Sequence, residues 1–198
     1  MTSARARAAR EDPNQRVPVV GRGPVHVGAV SDDRVVRDDV TAAPNYEVPR
    51  IPASAGALIF DRAGRLLVLK PNYKKGWTIP GGQIDAGGES PWEACRRETR
   101  EECGLEIASG RLVCVDFLRP KPNRPGGIRF LFDCGAFADE PLAAIRLQDA
   151  EIEEHRFAEL SEATGLLSGP LRRRVSAGVG AERCVYLENG RPVRGLES

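Results

Sequence analysis

Residues 82–105 constrain this chain more than any other segment, because a glycine-rich loop runs directly into a glutamate-rich stretch, GQIDAGGESPWEACRRETREECGL. Ser90 is placed to cap a helix, Pro91 suits its first turn, and Glu93 completes a capping box. Gly104 supplies the left-handed residue with which helices commonly end. The sequence therefore predicts a single capped helix that is entered through a glycine turn.

The acidic side chains of this helix suit a hard metal ion. Glu98 and Glu102 are four residues apart and share one face, which Glu101 flanks. Like charges at this spacing cost an isolated helix roughly 0.2–0.5 kcal/mol per pair, and a divalent cation reverses that repulsion. The glycine loop also lets the carbonyl of Gly82 approach as a further oxygen ligand. The alternative is a solvated helix surface held by ion pairs, of which RRETREE is typical.

The segment resembles the Nudix box, G-x5-E-x7-R-E-U-x-E-E-x-G-U, in which U is aliphatic. Matches occur at Glu89, Arg97, Glu98, Glu101, Glu102, Gly104 and Leu105. An insertion in Gly87-Gly88, which should bulge locally, puts six residues rather than five between Gly82 and Glu89. Thr99 also stands where an aliphatic residue is usual. The preceding PGG and the later EIEEHRFAEL extend the resemblance over about residues 51–190.

The resemblance implies an α/β/α sandwich with a central mixed β-sheet and an enzyme acting on phosphorus-containing acid anhydrides. Nudix hydrolases cleave a nucleoside diphosphate linked to another moiety, by attack of water on phosphorus. The expected partner is a small nucleotide-type substrate, and a homodimer is expected by analogy with the family. The alternative is a catalytically inactive member that senses or regulates through ligand binding.

The resemblance also implies roles for individual residues. Gly82, Glu98, Glu101 and Glu102 are implied as ligands of Mg²⁺, with Mn²⁺ as the alternative ion. Glu98 and Glu101 are also predicted to be catalytic, together with Arg97, which is expected to hold the loop against the helix by pairing with Glu89. The general base stays open between the box and an acidic residue of the later segment, which contains Glu151, Glu153 and Glu154.

Four residues outside the box are predicted to contact the substrate. Lys70 and Arg129 are candidates for binding phosphates, whereas Tyr73 and Trp77 could stack on a base. The alternative for the two aromatic side chains is core or rim packing. The Pro/Gly-rich residues 121–127 lie between two predicted strands and form a candidate lid or specificity loop.

The remaining sequence favours one folded domain behind an extension. Residues 1–48 mix Arg, Asp, Pro and Gly and are predicted to be flexible or poorly ordered, although Val25–Val27 could add an edge strand. Residues 49–198 are predicted to form the Nudix domain. Strands are expected near residues 55–60, 65–70, 111–119, 128–137, 151–157 and 184–187, and later helices near 161–167 and 171–179.

Composition and charge exclude several classes of partner. The formal net charge is only +1, so no nucleic-acid partner is expected. No apolar run approaches the roughly 18 residues of a membrane span, so no membrane partner is expected either. Five dispersed cysteines without a CxxC pair, behind a start that lacks a signal peptide, indicate free thiols in the cytoplasm.

Overall fold

The computed structural model describes residues 50–196, so the predicted extension and the edge strand at Val25–Val27 lie outside the described residues. The strands in this range are β1 (Ala53–Phe60), β2 (Leu66–Pro71), β3 (Gly81–Gln83), β4 (Arg111–Leu118), β5 (Gly127–Ala136), β6 (Ile152–Ala158), β7 (Val185–Glu188) and β8 (Arg191–Pro192). The helices are α1 (Pro91–Cys103), α2 (Asp139–Ala143), α3 (Leu160–Leu166) and α4 (Gly169–Gly178).

The strands form one mixed sheet in the order β6-β2-β1-β5-β4-β7-β8, with β3 paired to β1 beside this path. The β1/β5 and β4/β7 pairs are parallel, and the others are antiparallel. Along β1, Phe60 faces Leu66 of β2, whereas Ala55 faces Gly82 of β3. One edge of β1 therefore has two partners, β3 beside its first residues and β2 beside its last.

Strand alternation divides the core into two layers. In β1, Ala57 and Ile59 belong to the cluster that packs against α1, whereas Leu58 belongs to the cluster on the α3 and α4 side. Leu67 and Val68 of β2 divide in the same way. Helices thus cover both faces of the mixed sheet, which confirms the predicted α/β/α sandwich.

Helix α1 begins and ends where the sequence predicts. The Oγ of Ser90 accepts from Glu93 N at 3.2 Å, and Ser90 N donates to a Glu93 carboxylate oxygen at 2.8 Å, which completes the capping box. Gly104 ends the helix with a φ of 70°. The buried face includes Cys95 and Thr99, and the Thr99 hydroxyl donates to the Cys95 carbonyl at 2.8 Å. A buried Thr side chain is thus satisfied inside the helix where the family pattern has an aliphatic residue.

Three short elements were not predicted, namely β3, α2 and the two-residue strand β8, which pairs with β7. Strand β3 consists of Gly81, Gly82 and Gln83, and it forms because its backbone pairs with Ser54–Gly56 of β1. Helix α2 has no side-chain cap and buries no residue, so it carries no amphipathic signal. The remaining predicted elements are present with boundaries shifted by one or a few residues.

Two further predictions concern membranes and thiols. Within the part of the chain that the structure describes, no helix is long and apolar enough to cross a membrane. All five cysteines are free, and Cys95, Cys103 and Cys114 are buried. The free thiols match the expectation from their spacing, while the cytoplasmic location stays a prediction.

We predict that Ser90→Ala lowers the free energy of unfolding by about 1 kcal/mol, because the first turn of α1 loses its side-chain cap. For a domain of this size the melting temperature should fall by about 2–4 °C. Thermal unfolding of the full chain measures the effect, with the exposed loop change Ser109→Ala as control. Equal melting temperatures for the two variants would show that the cap does not stabilise α1.

Candidate active site

The candidate site is built where β3 meets the acidic face of α1. Gly81 N donates to a carboxylate oxygen of Glu102 at 2.7 Å, which ties the strand to the helix. A Cβ at Gly82 would collide with the carboxylate of Glu98, so only glycine permits this approach. Gly82 is therefore required for its contact with Glu98, whereas Gly81 is required for its φ of 137° and its close approach to the backbone of Ala55.

Glu98 and Glu102, the two glutamates nearest β3, lie in surroundings that disfavour the ionised form of a carboxyl group. Burial raises the pKa of Glu102 to about 8, and the charges of Glu98 and Glu151 act in the same direction. Burial also raises the pKa of Glu98. The hydrogen bond from Gly81 N opposes the shift at Glu102. A cation at this face would stabilise both ionised carboxylates, so the electrostatics favour metal binding.

Arg97 joins the loop to the acidic face through its whole guanidinium group. Its Nε donates to Glu89 at 2.7 Å, and its terminal nitrogens donate to Glu98 at 2.9 Å, Glu101 at 3.1 Å and the Gln83 carbonyl at 2.9 Å. The hydrogen bonds that Arg97 donates to Glu89 hold the pKa of Glu89 below its usual range and raise the pKa of Arg97. This arginine therefore orients the loop and two of the predicted metal ligands together.

The inserted residue of the box is absorbed in the turn before α1. Gly87 and Gly88 both have positive φ, at 104° and 98°. The turn is closed by Asp85 N, which donates to the second carboxylate oxygen of Glu89 at 2.7 Å. Gly82 consequently stays in register in β3 and beside Glu98, so the insertion leaves this part of the site in place.

The ligand atoms available at this site are of the type that binds a hard metal ion. Glu98, Glu101 and Glu102 offer hard oxygens beside the close backbone at Gly82, as Mg²⁺ requires. Within residues 50–196, no three His, Cys, Asp or Glu side chains are already arranged around a common ion position. The geometry explains this, because Arg97 engages Glu98 and Glu101 while Glu102 accepts from the strand. The ligand assignments stay predictions.

A cavity of about 440 Å³ lies beside β3, and Gly82 is part of its lining. Of the predicted substrate contacts, Tyr73, Trp77 and Arg129 line this cavity. Lys70 does not, and its ammonium group lies 3.3 Å from a carboxylate oxygen of Glu153. The structure thus brings three of the four predicted contacts together and places Lys70 on the β2/β6 pair.

The sequence analysis missed a buried charged group below this cavity. Asp116 of β4 is fully buried, and one of its carboxylate oxygens lies 3.3 Å from Arg174 Nε of α4. The other oxygen accepts from Gly190 N at 2.8 Å. An aspartate in the apolar run RLVCVDFL was the available signal, because a buried charge requires a partner.

The chain belongs to the Nudix family, because the model of the NUDIX domain matches residues 50–177. A curated relative, isopentenyl-diphosphate Delta-isomerase of Escherichia coli O6:H1, is 30% identical over 109 residues, which cover 52% of this chain and 59% of the relative. This chain therefore spans only about three-fifths of that relative's length.

Solved structures share the fold. The MutT protein from Methanosarcina mazei Go1 is 25% identical with a TM-score of 0.55, covering 66% of this chain and 94% of that one. The MutT NUDIX hydrolase from Burkholderia pseudomallei is 22% identical with a TM-score of 0.55, covering 65% and 98%. The family resemblance and the sandwich fold predicted from the sequence are both confirmed.

We predict that Glu102→Gln changes how the stability of the metal-free protein depends on pH. Because burial raises the pKa of Glu102 from 4.5 to about 8, the folded chain retains a proton that the unfolded chain releases. The free energy of unfolding should therefore fall as pH rises from about 4.5 to about 8, and Glu102→Gln should remove that part of the fall.

Denaturant unfolding in EDTA at pH 5, 7 and 9 measures this difference. At pH 9 the variant should be the more stable protein by on the order of 1 kcal/mol. Glu106→Gln, an exposed change just beyond α1, is the matched control and should follow the wild type. Parallel stability curves for wild type and Glu102→Gln would contradict the burial account.

Proposed function

We propose that this protein is a Mg²⁺-dependent hydrolase that cleaves the phosphate-anhydride bond of a nucleoside diphosphate linked to another moiety. The observation that supports it most is the pairing of a glutamate face on α1 with a glycine strand that comes close enough to exclude a Cβ. Family membership supports the same class of reaction.

The burial of each glutamate suggests its role in the proposed reaction. Glu98 and Glu102 are shielded from water and are assigned to metal binding, with the carbonyl of Gly82 as a further ligand. When bound, Mg²⁺ would neutralise anhydride oxygens and lower the pKa of an attacking water. Glu101 is the most exposed of the three box glutamates at 46% of its side chain, so it can both bind metal and accept a proton.

Arg97 and Glu151 complete the proposed site. Arg97 acts as a positioning residue, because it holds Glu98 and Glu101 at fixed distances from the loop. Glu151 is exposed at the start of β6, and its charge acts on both Glu98 and Glu102. Of the three later glutamates, Glu151 is therefore the second candidate for the general base, since Glu153 and Glu154 pair with Lys70 instead.

A second candidate function follows from the curated relative, which is named an isopentenyl-diphosphate Delta-isomerase. Both reactions require that a diphosphate be bound. The substrate of the isomerase also has a hydrocarbon group, which calls for an apolar cavity. The cavity beside β3 is lined by Arg124, Arg129 and Arg174 and also by apolar side chains, among them Ile79, Phe130 and Leu171, so its lining suits a charged group with an apolar one beside it.

We predict that purified full-length protein releases a nucleoside monophosphate or phosphate from at least one member of a substrate panel in Mg²⁺ or Mn²⁺. The panel contains sugar nucleotides, dinucleoside polyphosphates, oxidised nucleotides and nucleotide coenzymes. Glu101→Gln and Glu102→Gln should each lower kcat/KM by about 100-fold or more, because each removes a carboxylate from the metal face.

Glu106→Gln is the control and should retain wild-type activity. Full activity in both site variants would show that the glutamates are wrongly assigned. Tight ligand binding without turnover would instead identify a sensing module. Isomerisation of isopentenyl diphosphate without hydrolysis of any nucleotide would identify the second candidate function.

A further inference from the structure

A row of polar residues crosses the sheet from β3 to β4. Gln83 is in register with Ser54 of β1, Ser54 with Arg129 of β5, and Arg129 with Asp116 of β4. Residues in register point to the same face of a sheet, and neighbouring strands are about 4.8 Å apart. The backbone of Arg129 therefore lies about 10 Å from that of Gln83, on the face covered by α4.

Three arginines converge on the cavity above this row. Arg129 comes from β5, Arg174 from α4, and Arg124 from the Pro/Gly-rich loop of residues 121–127. Among the described residues that line the cavity, none is acidic, and Lys74 and Lys75 are also at its wall. All the charged side chains of the lining are therefore positive, and they stand among apolar and neutral residues.

The charges of the three arginines are only partly compensated. Asp116, which lies beneath the cavity, is the carboxylate that pairs with Arg174. Burial lowers the pKa of both Arg129 and Arg174, and the charge of Arg124 lowers both further. Three cations against one carboxylate leave two positive charges in excess, which is the charge that a phosphate group of about −2 would neutralise.

The donors of these arginines are also incompletely satisfied. Within residues 50–196, the buried Nε of Arg124 has no hydrogen-bond partner, and that of Arg174 has only its ion pair with Asp116 at 3.3 Å. Arg129 is held in place, because its terminal nitrogens donate to the carbonyls of Gly126 at 3.1 Å and Ile128 at 3.0 Å. Guanidinium groups in a cavity wall suit phosphate oxygens, which accept several charge-assisted hydrogen bonds at once, and Arg124 has a donor that is still unpaired.

We propose that Arg124, Arg129 and Arg174 bind a phosphate group of the substrate other than the diphosphate that faces the glutamates. This inference rests on the proposed function for the identity of the substrate, but the anion site itself does not require catalysis. Arg129 lies two strands away from β3, so we assign the arginines to a phosphate group beyond the diphosphate at the metal face. The additional phosphate is either a phosphomonoester on the linked moiety or part of a longer phosphate chain.

Binding of inorganic phosphate and tripolyphosphate to the full chain in EDTA tests the anion site without metal or turnover. Isothermal titration should give a tripolyphosphate affinity that falls about tenfold or more in Arg124→Gln, because one charged donor group is lost. Arg119→Gln changes an exposed arginine that pairs with Glu188 outside the cavity, and it should bind as the wild type does.

Asp116→Asn should affect tripolyphosphate affinity in the opposite direction to Arg124→Gln. It keeps an acceptor for Gly190 N but removes the compensating charge, so tripolyphosphate should bind at least as tightly and should raise the melting temperature more than in the wild type. Equal affinity in wild type and Arg124→Gln, or weaker binding in Asp116→Asn, would overturn the proposal.

Matched substrates distinguish the two sources of the phosphate. NADP⁺ against NAD⁺ tests a phosphomonoester, and diadenosine tetraphosphate against diadenosine diphosphate tests a longer chain. In Mg²⁺, the preferred member of one pair should have the lower KM, and Arg124→Gln should abolish that preference. If no nucleotide is hydrolysed but tripolyphosphate binding still depends on Arg124, the proposed function fails and the anion site stands.

Discussion

Two carboxylates of one helix face, Glu98 and Glu102, are brought against a strand whose glycines leave no room for a Cβ. Burial disfavours the ionisation of both carboxylates, and the charge of Glu98 adds to this effect at Glu102. Packing in the core keeps the two glutamates in place, because the opposite face of α1 buries Cys95 and Thr99. The free energy of that core supports an arrangement of charges that is unfavourable until a cation binds.

The position of β3 at the edge of β1 explains why acidic and basic groups lie on either side of β3. Gly81 and Gly82 contact the glutamates of α1, and both also line the cavity that contains the arginines. A metal-bound diphosphate and a separate anionic group therefore occupy neighbouring regions in our account. The arrangement gives a physical basis for substrate selection, since a ligand with one charged group too few would leave buried guanidinium donors unpaired.

The parts of the site that could be predicted from the sequence are local. The cap at Ser90, the end at Gly104 and the spacing of Glu98 and Glu102 follow from helix geometry, so the order of residues along the chain is sufficient. The α/β/α sandwich was implied by the resemblance of residues 82–105 and their flanks to the Nudix family. The cluster of arginines in the cavity could not be predicted. It depends on the registers that align residues of β1, β4 and β5, and on a loop and a helix that are far apart in the sequence.

Lys70 and β3 illustrate the same limit. A lysine near an expected phosphate site is a reasonable candidate, but the antiparallel pairing of β2 with β6 places Lys70 beside Glu153. Strand β3 has no propensity of its own, and only its partner strand makes it a strand. Both outcomes depend on long-range pairing, which a single sequence without other chains to compare does not reveal.

The central claim is that the glutamate face of α1 binds a divalent cation. Titration of Mn²⁺ into the full-length protein, with free ion followed by electron paramagnetic resonance, measures this directly. We expect bound Mn²⁺ in the wild type and in Glu106→Gln, and affinity at least about tenfold weaker in Glu98→Gln. Equal Mn²⁺ affinity in wild type and Glu98→Gln would contradict the account.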